Sequence, residues 1–295
     1  MGSVHLVSFA SNHFSEQQKE MEMSARRYGI LDFISYTEKD LTDSDFYKEN
    51  IDVFAQRRGF GYWLWKPYFI LKAMENIKDN DILFYVDSGS KFVNPPATLI
   101  SLAKNNASGI VAFDCWPLTN HQWTIRETFV NLNCDTPDFW YAKHVIATVM
   151  LFRKTPLVIL FLKEWLAACL EKTSLIADVT NNNKNIEGFV QHREDQAIFS
   201  VLIKKHNIET YRNPSKWGNF LKVPKYRKEN EFISYPYLVE NTVNQYSDEP
   251  YVNSPYYTIF EFNYRNQSHG DKKNVKLYEW ILKKISSLRK VFREI

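Results

Sequence analysis

Cysteine is scarce in this chain of 295 residues: Cys115, Cys134 and Cys169 are the only three, and no C-x-x-C pair occurs. That excludes a disulfide scaffold and a zinc site built on paired cysteines, and it favours a reducing compartment. Long apolar runs are missing as well. No stretch reaches the roughly 18 residues of a membrane span, and the longest, at 157–170, is broken by Lys163 and Glu164. The N-terminus enters a strand pattern directly, without the basic segment and apolar core of a signal peptide. The expectation is a cytoplasmic protein with no leader and no span. Net charge is only +3, too little to argue for nucleic acid, and no basic–aromatic stripe runs through the body. There is no internal repeat and no linker-like stretch. Sequons at Asn106 and Asn266 are too easily met by chance to place the chain in a secretory lumen.

What is present is an ordinary globular balance, 44% hydrophobic, with a high aromatic share of 16%. Much of the aromatic content falls in irregular stretches such as 235–257. Such side chains either stack on the apolar faces of sugar rings or pin long loops to the body. The first half alternates apolar runs with helical patterns. Strands are expected at 4–10, 33–36, 81–86, 109–113, 145–152 and 208–211. Helices are expected at 15–28, opened by a capping box of Ser15 and Gln18, at 67–77 with Pro67 in the first turn, and at 157–170. In the last of these Leu160, Leu162, Trp165, Leu166 and Leu170 are the expected core contacts. This alternation predicts an α/β fold with a mainly parallel sheet flanked by helices and some antiparallel additions. One domain is expected over 1–270, divided into halves at 1–115 and 116–270, with a loop-rich C-terminal half. Residues 180–185 read as a mobile loop.

The most informative segment is Asp81-Ile82-Leu83-Phe84-Tyr85-Val86-Asp87-Ser88-Gly89-Ser90. A buried strand ends in a carboxylate followed by small residues, and ligands of open α/β sheets bind beyond the carboxyl ends of strands. Asp87 there can hold a divalent cation that bridges a diphosphate, or it can simply cap a turn. Ser88 and Gly89 let a ligand approach the backbone. Upstream, Arg57-Arg58-Gly59-Phe60-Gly61-Tyr62-Trp63-Leu64-Trp65-Lys66-Pro67 puts Lys66 near a helix N-terminus, where a pyrophosphate gains a cation and the helix dipole. Otherwise Lys66 is solvated and the loop is packed aromatic surface. Further on, Gln191-His192-Arg193-Glu194-Asp195-Gln196 opens a helix. Acidic residues suit a first turn, and a carboxylate there can also act as a base toward an acceptor hydroxyl. Tyr264, Arg265 and His269 can close over a diphosphate, and His269 can complete a metal site or remain solvated.

Together these segments resemble a family of GT-A glycosyltransferases from bacterial polysaccharide gene sets and large viruses. The resemblance rests on Val7-Ser8-Phe9-Ala10-Ser11, the Gly-Tyr-Trp-Leu-Trp-Lys-Pro loop at 61–67, Tyr-Val-Asp-Ser-Gly at 85–89, His-Arg-Glu-Asp-Gln at 192–196 and Pro-Ser-Lys-Trp-Gly at 214–218. It implies a GT-A fold and transfer of a sugar, hexosyltransferase-like, from a nucleoside-diphosphate sugar with UDP as the expected nucleotide. The implied acceptor is a glycan or lipid-linked molecule in polysaccharide biosynthesis. It also implies that Phe9, Ala10, Ser11, Lys66, Asp87, Ser88, Gly89, Lys216 and Trp217 bind the donor. Asp87 and His269 would hold Mn2+ or Mg2+, although Gly89 stands where the family's motif has a second Asp. Asp195, with Glu194 beside it, is the implied base, with a lean toward inversion. The alternative is a non-catalytic nucleotide- or carbohydrate-binding protein with a degenerate GT-A fold. Residues 271–295 form a separate basic amphipathic pattern: eight Lys/Arg face a single acid, Glu279, between Lys272 and Arg293. That helix either lies on an anionic membrane surface or docks on the domain.

Overall fold

Strand order across the central sheet is β2-β1-β3-β7-β5-β6, with β8 also paired to β5. The strands are β1 (Val4–Ala10), β2 (Asp32–Thr37), β3 (Ile82–Val86), β5 (Ile110–Thr119), β6 (Lys143–Val145), β7 (Val149–Arg153) and β8 (Thr210–Arg212). A small second sheet joins β4 (Ser90–Phe92) to β9 (Phe260–Phe262). This computed structural model describes residues 2–176, 183–215, 218 and 253–262, the side chains at 116 and 117 excepted. Residues 1–261 make one compact unit; of the second, 262–295, only Phe262 is described. The basic segment 271–295 and its boundary with the domain therefore lie outside the described residues. No helix among the described residues is long and apolar enough to cross a membrane.

The sheet is mixed. β1 pairs in parallel with β2 and β3, and β5 with β8, while β7 runs antiparallel to both β3 and β5, and β6 antiparallel to β5. β2, β1, β3, β5 and β8 thus point one way, so the α/β class with a mainly parallel sheet stands as expected. All five residues of β3 are buried, as a strand covered on both faces requires. Helices α1 (Ser15–Arg26), α2 (Trp65–Asn76) and α3 (Ala97–Asn105) pack on the sheet. Helix α4 (Pro156–Leu170) packs on α2 and on α5 (Glu194–Lys205).

Three local expectations need correction. The single strand expected at 145–152 is two, β6 and β7, separated by Ile146–Thr148. There the backbone of Ala147 turns to side chains: its N–H donates to Gln196 Oε1 and its carbonyl accepts from Lys66 Nζ. The capping box of Ser15 and Gln18 is absent, because the Gln18 amide is buried and donates to Ser8 Oγ at 2.9 Å and the Tyr36 carbonyl at 3.1 Å. Ser15 Oγ instead donates back to the Asn12 carbonyl. On α4, Thr155 accepts from the Val158 N–H and Pro156 opens the first turn, which fixes where the helix starts. Its buried side is Val158, Phe161, Leu162, Trp165 and Cys169, while Leu160 is 63% exposed and Leu170 is also exposed. The helix is apolar nearly all round, so hydrophobicity alone does not choose a face.

Candidate active site

The parallel strands β1 and β3 bring their carboxyl ends to the same edge of the sheet, and Asp87 is the first residue past β3. Its backbone N–H donates to the Thr148 carbonyl, and the Ser90 N–H returns to the Asp87 carbonyl. Ser88 and Ser90 are buried, while the Asp87 side chain keeps 30% exposure. Tyr85 O–H donates to Asp87 Oδ1 at 2.6 Å. Burial, reinforced by that carboxylate, pushes the Tyr85 phenol well up, so it stays a donor.

Lys66 enters from the first turn of α2. Its ammonium, 4% exposed, lies 3.2 Å from Asp87 Oδ1 and 3.3 Å from Asp195 Oδ2, and donates to the Ala147 carbonyl at 3.0 Å. Burial pulls its pKa down, but the two carboxylates together outweigh burial and leave it raised. Lys66 therefore remains a cation. It is neither solvated nor standing free at a helix terminus: the structure makes it the common partner of a strand-end carboxylate and a helix-start carboxylate.

Asp195 is buried on the first turn of α5, with its carbonyl accepting from the Trp165 indole N–H at 3.0 Å. Burial lifts its carboxyl from 3.8 to about 7; Lys66 opposes the rise, and the charges of Asp87 and Glu194 add to it. Oδ2 accepts no hydrogen bond, so the contact with Lys66 is an ion pair without hydrogen-bond geometry. Glu194 is also buried and is paired through Oε1 with Arg58 Nε at 2.7 Å. The Gln191 amide, turned with its oxygen toward Arg58, accepts from Nη2 at 2.6 Å. Arg58 is the exposed cation of the group, at 43%. Next to it, His192 is held neutral: Nδ1 accepts from the Ile125 N–H, Nε2 donates to the Ser174 carbonyl, and burial lowers its pKa to about 4.

The loop that runs from Arg58 to the helix bearing Lys66 winds the wrong way. Gly59, Phe60, Gly61, Tyr62 and Trp63 all have positive φ, from 51° to 85°. Tyr62 N–H donates to the Arg58 carbonyl and Trp63 N–H to the Gly59 carbonyl, which makes a single turn of left-handed helix. Each of the three aromatics costs roughly 1–2 kcal/mol in that conformation. Such strain persists only where the surroundings impose it, and it concentrates at functional sites. Here the surroundings are visible. A Cβ on Gly59 would stand 2.3 Å from the Trp63 ring and one on Gly61 2.5 Å from Phe54, while Trp65 donates its indole N–H to the Gly59 carbonyl. Glu194 likewise has φ of 44°, while its partner Arg58 is extended, at φ −62°, immediately before the left-handed turn.

Among the expected donor-binding residues, Phe9 and Ala10 are buried at the end of β1, and Phe9 packs on Trp65 with centroids 4.1 Å apart. Ser11 follows at partial exposure, and Gly89 is partly exposed beside Asp87. Lys66, Asp87, Glu194 and Asp195 are brought together as described. Lys216, Trp217 and His269 lie outside the described residues, as do Tyr264 and Arg265. The sequence reading missed Arg58, Tyr85 and Gln191. Arg58 stood in a quoted motif, but nothing in its neighbourhood pointed to a partner on α5.

The donor set does not fit a divalent cation by itself. Among the described residues no group of three His, Cys, Asp or Glu side chains could hold a metal ion. An ammonium already stands within 3.3 Å of both Asp87 and Asp195.

No protein-family model and no curated protein matches the chain. Solved structures do. Mouse xyloside xylosyltransferase 1 in its apo form is similar over 90% of this chain and 98% of its own, with 14% identity and a TM-score of 0.48. The apo-form glycosyltransferase GlyE of Streptococcus pneumoniae is similar over 88% of this chain and 54% of its own, with 11% identity and a TM-score of 0.42. An active-site mutant of LgtC is similar over 93% and 95%, with 13% identity and a TM-score of 0.41.

Proposed function

We propose that this chain is a GT-A-type glycosyltransferase that moves a sugar from a nucleoside-diphosphate sugar, UDP being the expected nucleotide, to a glycan or lipid-linked acceptor. The observation that carries this reading is the partly exposed Asp87 at the carboxyl end of a buried parallel strand, with a buried ammonium 3.2 Å from it. Breaking the bond from sugar to diphosphate leaves negative charge on the departing phosphate. A cation fixed in place beforehand, in a site with little water, meets that charge without reorganisation. Lys66 is fixed in this way by three oxygens, and Arg58 supplies a second positive group nearer the solvent.

Asp195 has the pKa of a group that exchanges a proton near neutrality. Inversion with Asp195 as base requires the acceptor hydroxyl to reach as deep as the Lys66 contact. If it does not, Asp195 serves the reaction by holding the ammonium. The anomeric configuration of the first product, read by proton NMR, decides the stereochemical course.

Incubating the full chain with a panel of UDP-sugars and following UDP release tests the reading, together with calorimetric titration of UDP. UDP binding and release from at least one sugar is the expected result. Burial of both expected catalytic carboxylates favours a second reading, a nucleotide-binding protein without turnover, and UDP binding with no release from any sugar selects it. Absence of UDP binding sinks both.

A further inference from the structure

A chain of buried polar groups runs from Ser200 on α5 through Asn120 and His144 to Gln196 beside the site, and its hydrogen bonds leave only one arrangement of protons. Ala147 offers an N–H, so the Gln196 atom 3.2 Å from it is the amide oxygen. The Gln196 NH2 then faces His144 Nε2 at 3.0 Å. A nitrogen that receives a donor carries no proton, so His144 is protonated on Nδ1. That N–H meets Asn120 Oδ1 at 3.0 Å, an acceptor that also takes the Ser200 hydroxyl at 2.6 Å. Ser200 Oγ in turn accepts from the Val145 N–H at 2.8 Å. His144, Asn120 and Ser200 are all buried, and Gln196 is the partly exposed end of the chain. Every proton has a place, which is the condition for a buried network to hold a single geometry.

We propose that His144 is a positioning residue for the active site: its unprotonated Nε2 orients the Gln196 amide, Gln196 clamps the Ala147 N–H, and the Ala147 carbonyl holds the Lys66 ammonium beside Asp87 and Asp195. The segment Ile146–Thr148 is the physical link. Its neighbours tie into β5 through Ile146 N–H on the Phe113 carbonyl, and to the end of β3 through Asp87 N–H on the Thr148 carbonyl. A shift at Ala147 therefore moves an acceptor of Lys66 and a backbone partner of Asp87 together. His144 is neutral around pH 7, because burial, with the charge of Arg193, lowers its pKa to about 3.

The effect on turnover rests on the glycosyl-transfer reading, whereas the proton arrangement does not, so the test has one arm for each. In the first, nitrogen-15 NMR of the imidazoles in the full chain at neutral pH should show His144 as the pure Nδ1–H tautomer, and Gln196→Met should shift its Nε2 resonance as that nitrogen loses its donor, with Nδ1–H still held by Asn120. A His144 protonated on Nε2, or one indifferent to Gln196→Met, overturns the proposal. In the second, His144→Phe should lower kcat with UDP-sugar at least tenfold. His144→Gln should recover most of that loss, because the Gln amide oxygen can replace the Nε2 acceptor. Equal losses in the two variants overturn the proposal. If the wild-type chain releases UDP from no sugar, the glycosyl-transfer reading fails while the imidazole spectrum still decides the relay; the spectrum likewise decides it if His144→Phe fails to fold.

Discussion

Lys66 and Asp195 face one another at 3.3 Å with their side chains each only 4% exposed, an ion pair taken almost wholly out of water. Such pairs are costly to assemble and costlier to break, since removing one partner leaves a bare charge in a poor solvent. Lys66→Met should therefore destabilise the fold by about 3–5 kcal/mol at pH 8. The loss should shrink at pH 5, where Asp195 takes a proton and no longer needs the ammonium. Urea unfolding at the two pH values measures both numbers, and equal losses would show that the pair is not ionised.

Asp195 by itself gives a stability slope whose sign follows from its raised pKa. The folded carboxyl titrates at about 7 and the unfolded one near 3.8, so between these values the folded state holds the extra proton. This contribution is fully present below about pH 4 and is lost as pH rises through 7, by at most about 1.4 kcal/mol per pH unit. Asp195→Asn removes the slope. The variant should gain stability relative to the wild type from pH 4 up to about pH 7 and level off above it, and a difference independent of pH would rule out the shift.

Asp87 is the carboxylate that keeps contact with solvent. Asp87→Ala should cut UDP-sugar turnover more than a hundredfold, the scale on which electrostatic site groups act, and should lower the unfolding temperature less than Lys66→Met does, because Lys66 loses one carboxylate but keeps Asp195. Wild-type turnover in this variant would dismiss the strand-end site.

Because the Lys66 ammonium already stands within 3.3 Å of both Asp87 and Asp195, turnover should survive excess EDTA. Loss in EDTA with recovery on added Mn2+ would instead assign Asp87 a cation, with ligands from outside the described residues such as His269.

Much of the fold could be read ahead of the structure because it is written in local patterns. The five apolar residues of β3 ahead of Asp87 announced a buried strand, and Glu194-Asp195 announced the start of α5. The contacts within the candidate site were hidden for a physical reason. Lys66, Asp87 and Asp195 are distant in the chain, and only folding decides that a lysine next to a proline is buried between two acids. The winding of the loop at 59–63 was not legible either: Phe60, Tyr62 and Trp63 share one left-handed backbone against their own preference. Gln18 was assigned to a helix cap because spacing cannot reveal a buried hydroxyl on a neighbouring strand.

The glycines of that loop are open to a direct test. Gly61→Ala must accommodate a Cβ 2.5 Å from Phe54 at a φ of 85°. It should lower stability by more than about 1–2 kcal/mol, the backbone cost alone. A variant as stable as the wild type in urea would mean that the turn is not wound as described.

A turn coiled against the natural hand of the chain also has a place in time. Nothing local favours it, so it can form only after Phe54, Trp65 and the sheet beneath have assembled to hold it. This edge of the candidate site should thus be completed last on refolding and surrendered first on unfolding. Changes within 59–63 should quicken unfolding while leaving the refolding rate almost untouched.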